Sequence, residues 1–416
     1  MINITDSKKI WLLIYIISNM VAATIIFFTG MLVGDFEGVP FEDDFLLLFS
    51  LAIILISYWF FLGPLFSWVK RFKVDGNRGN TCNRNEKYLF GIVLFFMQIG
   101  FMAFNLLEGV NAAGSGGAVS NSPFAIIWVI FPVDMLFVIY YPLCRYEKMF
   151  KFNLIIWLVS NLQRGWSGVF IILMFFELGI LAKKGKLSIS RVSIVGVGVL
   201  ILYPFVIASK WVIRSFSKVG FDFFDMSTGL VRAFSEIDYV AALSEGFLHL
   251  IGRLQTVSAL IETIVIRKTL SHAFDAGSFL PFWKEGLFGL LYDKVFSVGK
   301  IMTLGVYFTQ YTGPNNAIGD LGEWNVNSGF PSWVFIAPEY LFFYLGYVFM
   351  LCVFSVFLTK KISADDFQLD GLWLIWLLFL LPPWLGAFVG YIYAMIVFIA
   401  IMWCVNKMTT LFFVSE

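Results

Sequence analysis

Charge is scarce in this chain of 416 residues: 14% of it is Asp, Glu, Lys or Arg, against about a quarter in soluble proteins. The 29 basic and 28 acidic residues nearly cancel, and no basic tract is longer than a loop, which argues against nucleic acid as a partner. Histidine occurs twice, at His249 and His272, without carboxylates at ligand spacing, so nothing points to a metal site or to any other cofactor. Of the four cysteines, Cys82 and Cys144 fall in expected cytoplasmic loops and Cys352 and Cys404 in apolar runs, leaving no disulfide framework. The phosphate-cradling GxxxxGK pattern, the GxSxG elbow and HExxH are all missing, which removes the familiar soluble enzyme classes. What is abundant is apolar: 59% of residues are hydrophobic and 19% aromatic. The chain reads as an all-α, polytopic integral membrane protein with about 10 transmembrane helices.

Lysine and arginine set the orientation, because they collect at the cytoplasmic ends of membrane helices. Lys8 and Lys9 precede a first span, about Ile10–Val33, read as retained rather than cleaved. The loop after it is acidic, with Asp35, Glu37, Glu42, Asp43 and Asp44, and the loop after span two is basic, with Lys70, Arg71, Lys73, Arg78, Arg84 and Lys87. Spans three and four follow, the fourth carrying Pro132 and Asp134. The division expected is 1–213 for seven helices including a short hairpin at 152–182, 214–331 for one large outer loop, and 332–416 for the last three helices. The turn of the final hairpin falls at Pro382-Pro383-Trp384, with both limbs short, and both termini are expected on the cytoplasmic side.

The short hairpin is the informative stretch. Lysines close it at both ends, Lys151 against Lys183 and Lys184, so the chain enters and returns on one side, and SNLQRGWS is its turn. Two full spans need about 40 residues at about 1.5 Å each, and only 31 lie between Lys151 and Lys183. Arg164 is therefore expected at depth, facing a polar cavity, where an ionisable group is a functional candidate; the other reading is a side chain snorkelling to headgroup phosphates. Asp134, midway along span four, is a second buried charge and shares that candidate status; the other reading is a carboxyl that is protonated or bonded to a neighbouring helix.

In the large loop, VAALSEGFLHLIGRLQTVSALIETIVIRK has apolar residues at helical spacing, which predicts one amphipathic helix on or dipping into the outer membrane surface. Glu245, His249 and Arg253 form a row on its other face, and Arg232 with Glu236 repeats the spacing; intrahelical ion pairs are the alternative to a site. Glu339 lies less than two turns inside span eight, read as Ser332–Leu358. Arginines bordered by lipid suit a lipid-linked pyrophosphate, whose leaving charge they can stabilise. Glu339, His249 or His272 can take the proton from an attacking hydroxyl. Arg214, Arg232, His249, His272 and Glu323 are the further substrate-binding candidates.

The arginine-bearing hairpin, the outer loop with GRLQTV and GSFLPFW, and then NSGFPSWVFIAPEYLFFYLGYVFML together resemble the Wzy-type O-antigen polymerases, over roughly Trp157–Leu358. The resemblance implies a glycosyltransferase C-like enzyme of the bacterial inner membrane with a periplasmic loop. Such an enzyme transfers a glycan from undecaprenyl pyrophosphate onto a newly flipped lipid-linked repeat unit, without metal. It implies catalytic roles for Arg164, Arg253 and Glu339, and a polysaccharide chain-length regulator as partner. The related O-antigen ligases share fold and donor, and a histidine base in the outer loop would favour them. A transporter or flippase of lipid-linked glycans is the reading from another class, and the lack of inverted repeats speaks against it.

Overall fold

A computed structural model describes residues 6–73, 84–111, 120, 122–166, 168–219, 223–235, 238–286, 302–311, 326, 328–363, 365–382 and 384–413. Among them the regular structure is helical, with no strand beyond two isolated bridges. Helix α1 is Ser7–Thr29, started by the Asp6 carboxylate accepting from the Lys8 N–H and stopped by Gly30 in the left-handed region at φ 65°. Helix α2, Asp44–Val69, is capped by Asp43, so part of the acidic loop serves helix initiation. Pro64 lies in a wider turn of α2, 61–65, and the Trp373 indole N–H donates to the Leu62 carbonyl there at 3.0 Å. Next come α3 (Arg84–Glu108), α4 (Ala125–Ile130) and α5 (Val133–Cys144), the last two separated by a break at Phe131-Pro132. The Tyr393 hydroxyl donates to the Ile130 carbonyl at that break. The hairpin is α6 (Phe150–Gln163) and α7 (Val169–Lys183), of 14 and 15 residues, as short as the lysine spacing requires. Helix α8, Ile189–Val219, runs unbroken through Pro204.

The loop region contributes α9 (Phe223–Ser235), α10 (Tyr239–Leu254), α11 (Val257–Val265), α12 (Arg267–Asp275) and α13 (Leu304–Tyr311). It is followed by α14 (Ser332–Ile336), α15 (Leu341–Ile362), α16 (Asp366–Ile375, continued to Leu380) and α17 (Leu385–Phe413). Among the described residues seven helices are long and apolar enough to cross a membrane; α6, α7 and α16 are not. The expectation of two short limbs in the final hairpin is corrected on one side: α16 is short, but α17 has 29 residues and starts directly at the turn.

One end of the bundle is tied by lysines. Lys8 pairs with Asp370 at 2.5 Å, Lys70 with Asp366 at 2.8 Å and Lys183 with Asp365 at 3.3 Å, while Lys360 donates to the Lys70 and Phe72 carbonyls. The exposed pairs of Lys70 and Lys183 add little, roughly 0–1 kcal/mol each, but with the half-buried Lys8–Asp370 pair they bring the same ends of α1, α2, α7, α15 and α16 into one layer. The opposite end holds the turns after α1, α6 and α16 and most of the loop helices.

The single amphipathic helix expected over 240–268 is three helices. It bends by 61° at Gln255-Thr256, then turns again at Ile266. Its second piece, α11, does not lie on a membrane surface: Val257 to Thr263 are all buried, among α1, α2, α14 and the turn after α1. Apolar residues at helical spacing report only that a face is removed from water, and here the bundle interior takes the place of lipid. Span eight is corrected in the same way. Ala337 breaks it, Pro338–Tyr340 form a 3₁₀ turn, and the span proper begins there.

Candidate functional site

Arg164 ends α6. Gly165, at φ 71°, lets the chain reverse, with the Gly165 N–H donating to the Leu162 carbonyl and the Trp166 N–H to the Asn161 carbonyl, a Schellman closure. The side chain is 4% exposed, so it neither snorkels nor faces an open polar cavity. Its Nη2 donates to both carboxylate oxygens of Asp134, at 2.9 and 2.7 Å, and its Nε to the Ser160 carbonyl at 3.1 Å. Asn161 Nδ2 adds a contact to Asp134 at 3.3 Å, and the guanidinium lies over Phe101 at 5.0 Å and Trp166 at 5.6 Å. Arg164 and Asp134 form one ion pair across α5 and α6, and the expectation that both charges are buried is corrected for Asp134, whose side chain is 29% exposed.

Arg253 has a different carboxylate. Its Nη1 is 3.5 Å from Asp35, in the turn after α1, with the two side chains 32% and 12% exposed. One turn earlier, His249 Nδ1 meets the Tyr203 hydroxyl of α8 at 2.8 Å. The row on α10 is thus engaged by two other elements, rather than only by its own neighbours, and Glu245 is exposed. Gly252 and Gly34 allow this crossing. A Cβ on Gly252 would lie 2.7 Å from the Gly34 Cα, and Gly34 itself has φ 75°.

Beyond Leu254 the chain enters the bundle. The Thr256 N–H donates to Asn19 Oδ1 at 3.0 Å, Gln255 Nε2 donates to the Val33 carbonyl, and the Val33 N–H donates to Ser258 Oγ. Asn19 lies ten residues inside the end of α1, so the turn reaches about 15 Å below that end. Thr263 and Ser332 hydroxyls meet at 3.1 Å, and the Tyr344 hydroxyl donates to the Phe330 carbonyl, which fastens α11 and the 328–336 segment to each other and to α15.

Glu339 is exposed in its 3₁₀ turn, which corrects its expected position inside a helix; its neighbour Tyr340 packs on Phe274 and Trp283 at 5.8 and 5.5 Å. His272 is exposed on α12, and Arg232 is exposed on α9. Arg214 is placed on α8 by its backbone alone, and Glu323 and Glu236 lie outside the described residues. Arg164 and Arg253 therefore occupy separate ion pairs, on α5–α6 and on α10 with the turn after α1. A carboxylate that sequence reasoning missed is Glu285, in the loop after Phe282–Lys284 and 6% exposed. Burial pushes its pKa up to about 8, partly offset by the Gly386 backbone N–H. Gly286, at φ 85°, meets Gly386 of α17 closely enough that a Cβ there would fall 2.8 Å from the Gly386 carbonyl oxygen. The only sequence signal for Glu285 was its place two positions after the aromatic run FLPFW, beyond Lys284.

Compared with known protein families, curated proteins and solved structures, the chain matches none of them.

Proposed function

We propose that the chain is a membrane glycosyltransferase that polymerises undecaprenyl-pyrophosphate-linked oligosaccharide repeat units at the periplasmic face of a bacterial inner membrane. The observation that supports this most is the re-entrant turn at Gln255-Thr256 together with α10. That unit carries Arg253 and His249 at the edge of the bundle, against α8, whose Ile194, Val197, Ile201 and Leu202 are exposed for lipid. A substrate with its prenyl tail in the bilayer and its pyrophosphate at the interface suits such a border. In the reaction the acceptor hydroxyl oxygen bonds to the anomeric carbon of the donor glycan as the bond to pyrophosphate breaks. The hydroxyl proton passes to a base, and the pyrophosphate leaves with the bonding electrons.

Arg253, held by Asp35, is suited to the charge that develops on the pyrophosphate, with Arg232, exposed on α9, as a further candidate. His249, half-buried and oriented by Tyr203, suits the base better than exposed Glu339 or His272. That same histidine favours a second reading, the ligase that moves finished polymer onto lipid A core. Cells lacking the protein distinguish the two. A polymerase defect leaves single repeat units on the surface lipid, whereas a ligase defect leaves long polymer on the carrier lipid. Arg253→Ala is expected to reproduce the null phenotype of single repeats, and normal polymer length in that variant would remove Arg253 from the reaction.

A further inference from the structure

Around the Arg164–Asp134 pair, buried polar atoms lack protein partners. Gln98, 2% exposed, has neither amide atom bonded, and Asn105, 3% exposed, accepts from Asn111 but leaves its own Nδ2 unused. Ser160 Oγ and the indole N–H groups of Trp128 and Trp157 are in the same condition. These residues are neighbours. Gln98, Phe101 and Asn105 follow at i, i+3 and i+7 on α3, one face of the helix. The Phe101 ring is 5.4 Å from Trp128 and lies beneath the Arg164 guanidinium, and α6, which carries Trp157, Ser160 and Arg164, packs on α3 and α5.

In a membrane, polar groups buried without partners are costly and mark functional places. Their chemistry here is specific. Arg164 is neutralised by Asp134, so an anion would have to displace a carboxylate bonded through both oxygens. What the surroundings offer instead is neutral: two side-chain amides, a hydroxyl, indole N–H groups, and the rings of partly buried Trp128 and half-exposed Trp166. Apolar faces with a few convergent neutral hydrogen-bonding groups suit a polyhydroxylated ring. We propose that the outer halves of α3 to α6 bind a neutral sugar ring, stacked on Trp128 and Trp166 and hydrogen-bonded to Gln98, Asn105 and Ser160. Arg164 then holds the shape of a glycan subsite and does not meet the pyrophosphate. The choice of a sugar among neutral hydroxylated ligands rests on the glycan-transfer reading above; the existence of the site does not.

The test uses the full chain in detergent and saturation-transfer NMR, with the methyl glycosides of glucose, galactose, mannose, rhamnose and N-acetylglucosamine as probes. At least one should bind, and inorganic pyrophosphate should not displace it. Gln98→Leu with Asn105→Leu replaces largely unpartnered amides by apolar groups of similar shape, so melting should be retained while affinity falls about tenfold or more. Trp166→Ala, at an exposed position, provides the same loss of affinity if the double variant does not fold. Binding by none of the glycosides, undiminished binding in the folded variants, or displacement by pyrophosphate would overturn the proposal. Glycoside binding without any polymerising activity would leave this subsite standing and remove the polymerase reading.

Discussion

Arg164 and Asp134 are best understood together, because each is the reason the other can be charged where it is. Removing one partner of a buried pair leaves an uncompensated charge, which costs about 3–5 kcal/mol when both are fully buried. Asp134 keeps 29% of its exposure, so Arg164→Ala is expected at the lower end of that range. Arg164→Met combined with Asp134→Leu should recover most of the lost melting temperature in detergent. A single variant as stable as the natural chain would contradict the ion pair. Glu285 gives a prediction in pH. Its carboxyl holds a proton in the folded protein up to about 8, well above the unfolded value near 4.5. The folded state thus binds more protons between these values, and stability should fall as pH rises through that window. Glu285→Gln should flatten the fall, and an unchanged slope of melting temperature against pH would show that the carboxyl is not buried in its neutral form.

At the scale of elements, glycine pairs let the loop approach the bundle. Gly34 with Gly252, and Gly286 with Gly386, bring backbones together where no side chain fits. Gly252→Ala is expected to push α10 from the turn after α1, losing on the order of 1–3 kcal/mol by overpacking. Gly346→Ala, in the second turn of α15 with open space around it, should be neutral or stabilising by up to about 1 kcal/mol. Equal melting temperatures for the two variants would speak against the close crossing. These contacts also mark where sequence reading stopped. The first four spans, the span over α8, the short arginine hairpin and the lysine-marked end were legible, since hydropathy, length and loop charge act locally. The pairing of Arg164 with Asp134, 30 positions away, and of Arg253 with Asp35 depends on which helices become neighbours. The break at Gln255-Thr256 was hidden because an apolar face packed on protein has the same periodicity as one lying in lipid. Gln98 and Asn105 are not legible as a site, because single amides in an apolar run carry no pattern.

The whole molecule is a bundle tied by lysines at one end and penetrated by its own loop at the other. The loop supplies part of the interior: α11 is buried, and the turn before it reaches Asn19 within α1. The arginine ion pair at Arg253–Asp35 and the neutral polar cluster around Gln98 and Asn105 are built from different helices of the same bundle. In the proposed reaction the first serves the pyrophosphate and the second the glycan. The most direct test of that account is to incubate the purified full chain with its undecaprenyl-pyrophosphate-linked repeat unit in the presence of a metal chelator, and to separate the products on a gel. The account predicts a ladder spaced by one repeat unit. Unchanged single repeats with authentic, correctly linked substrate would contradict it.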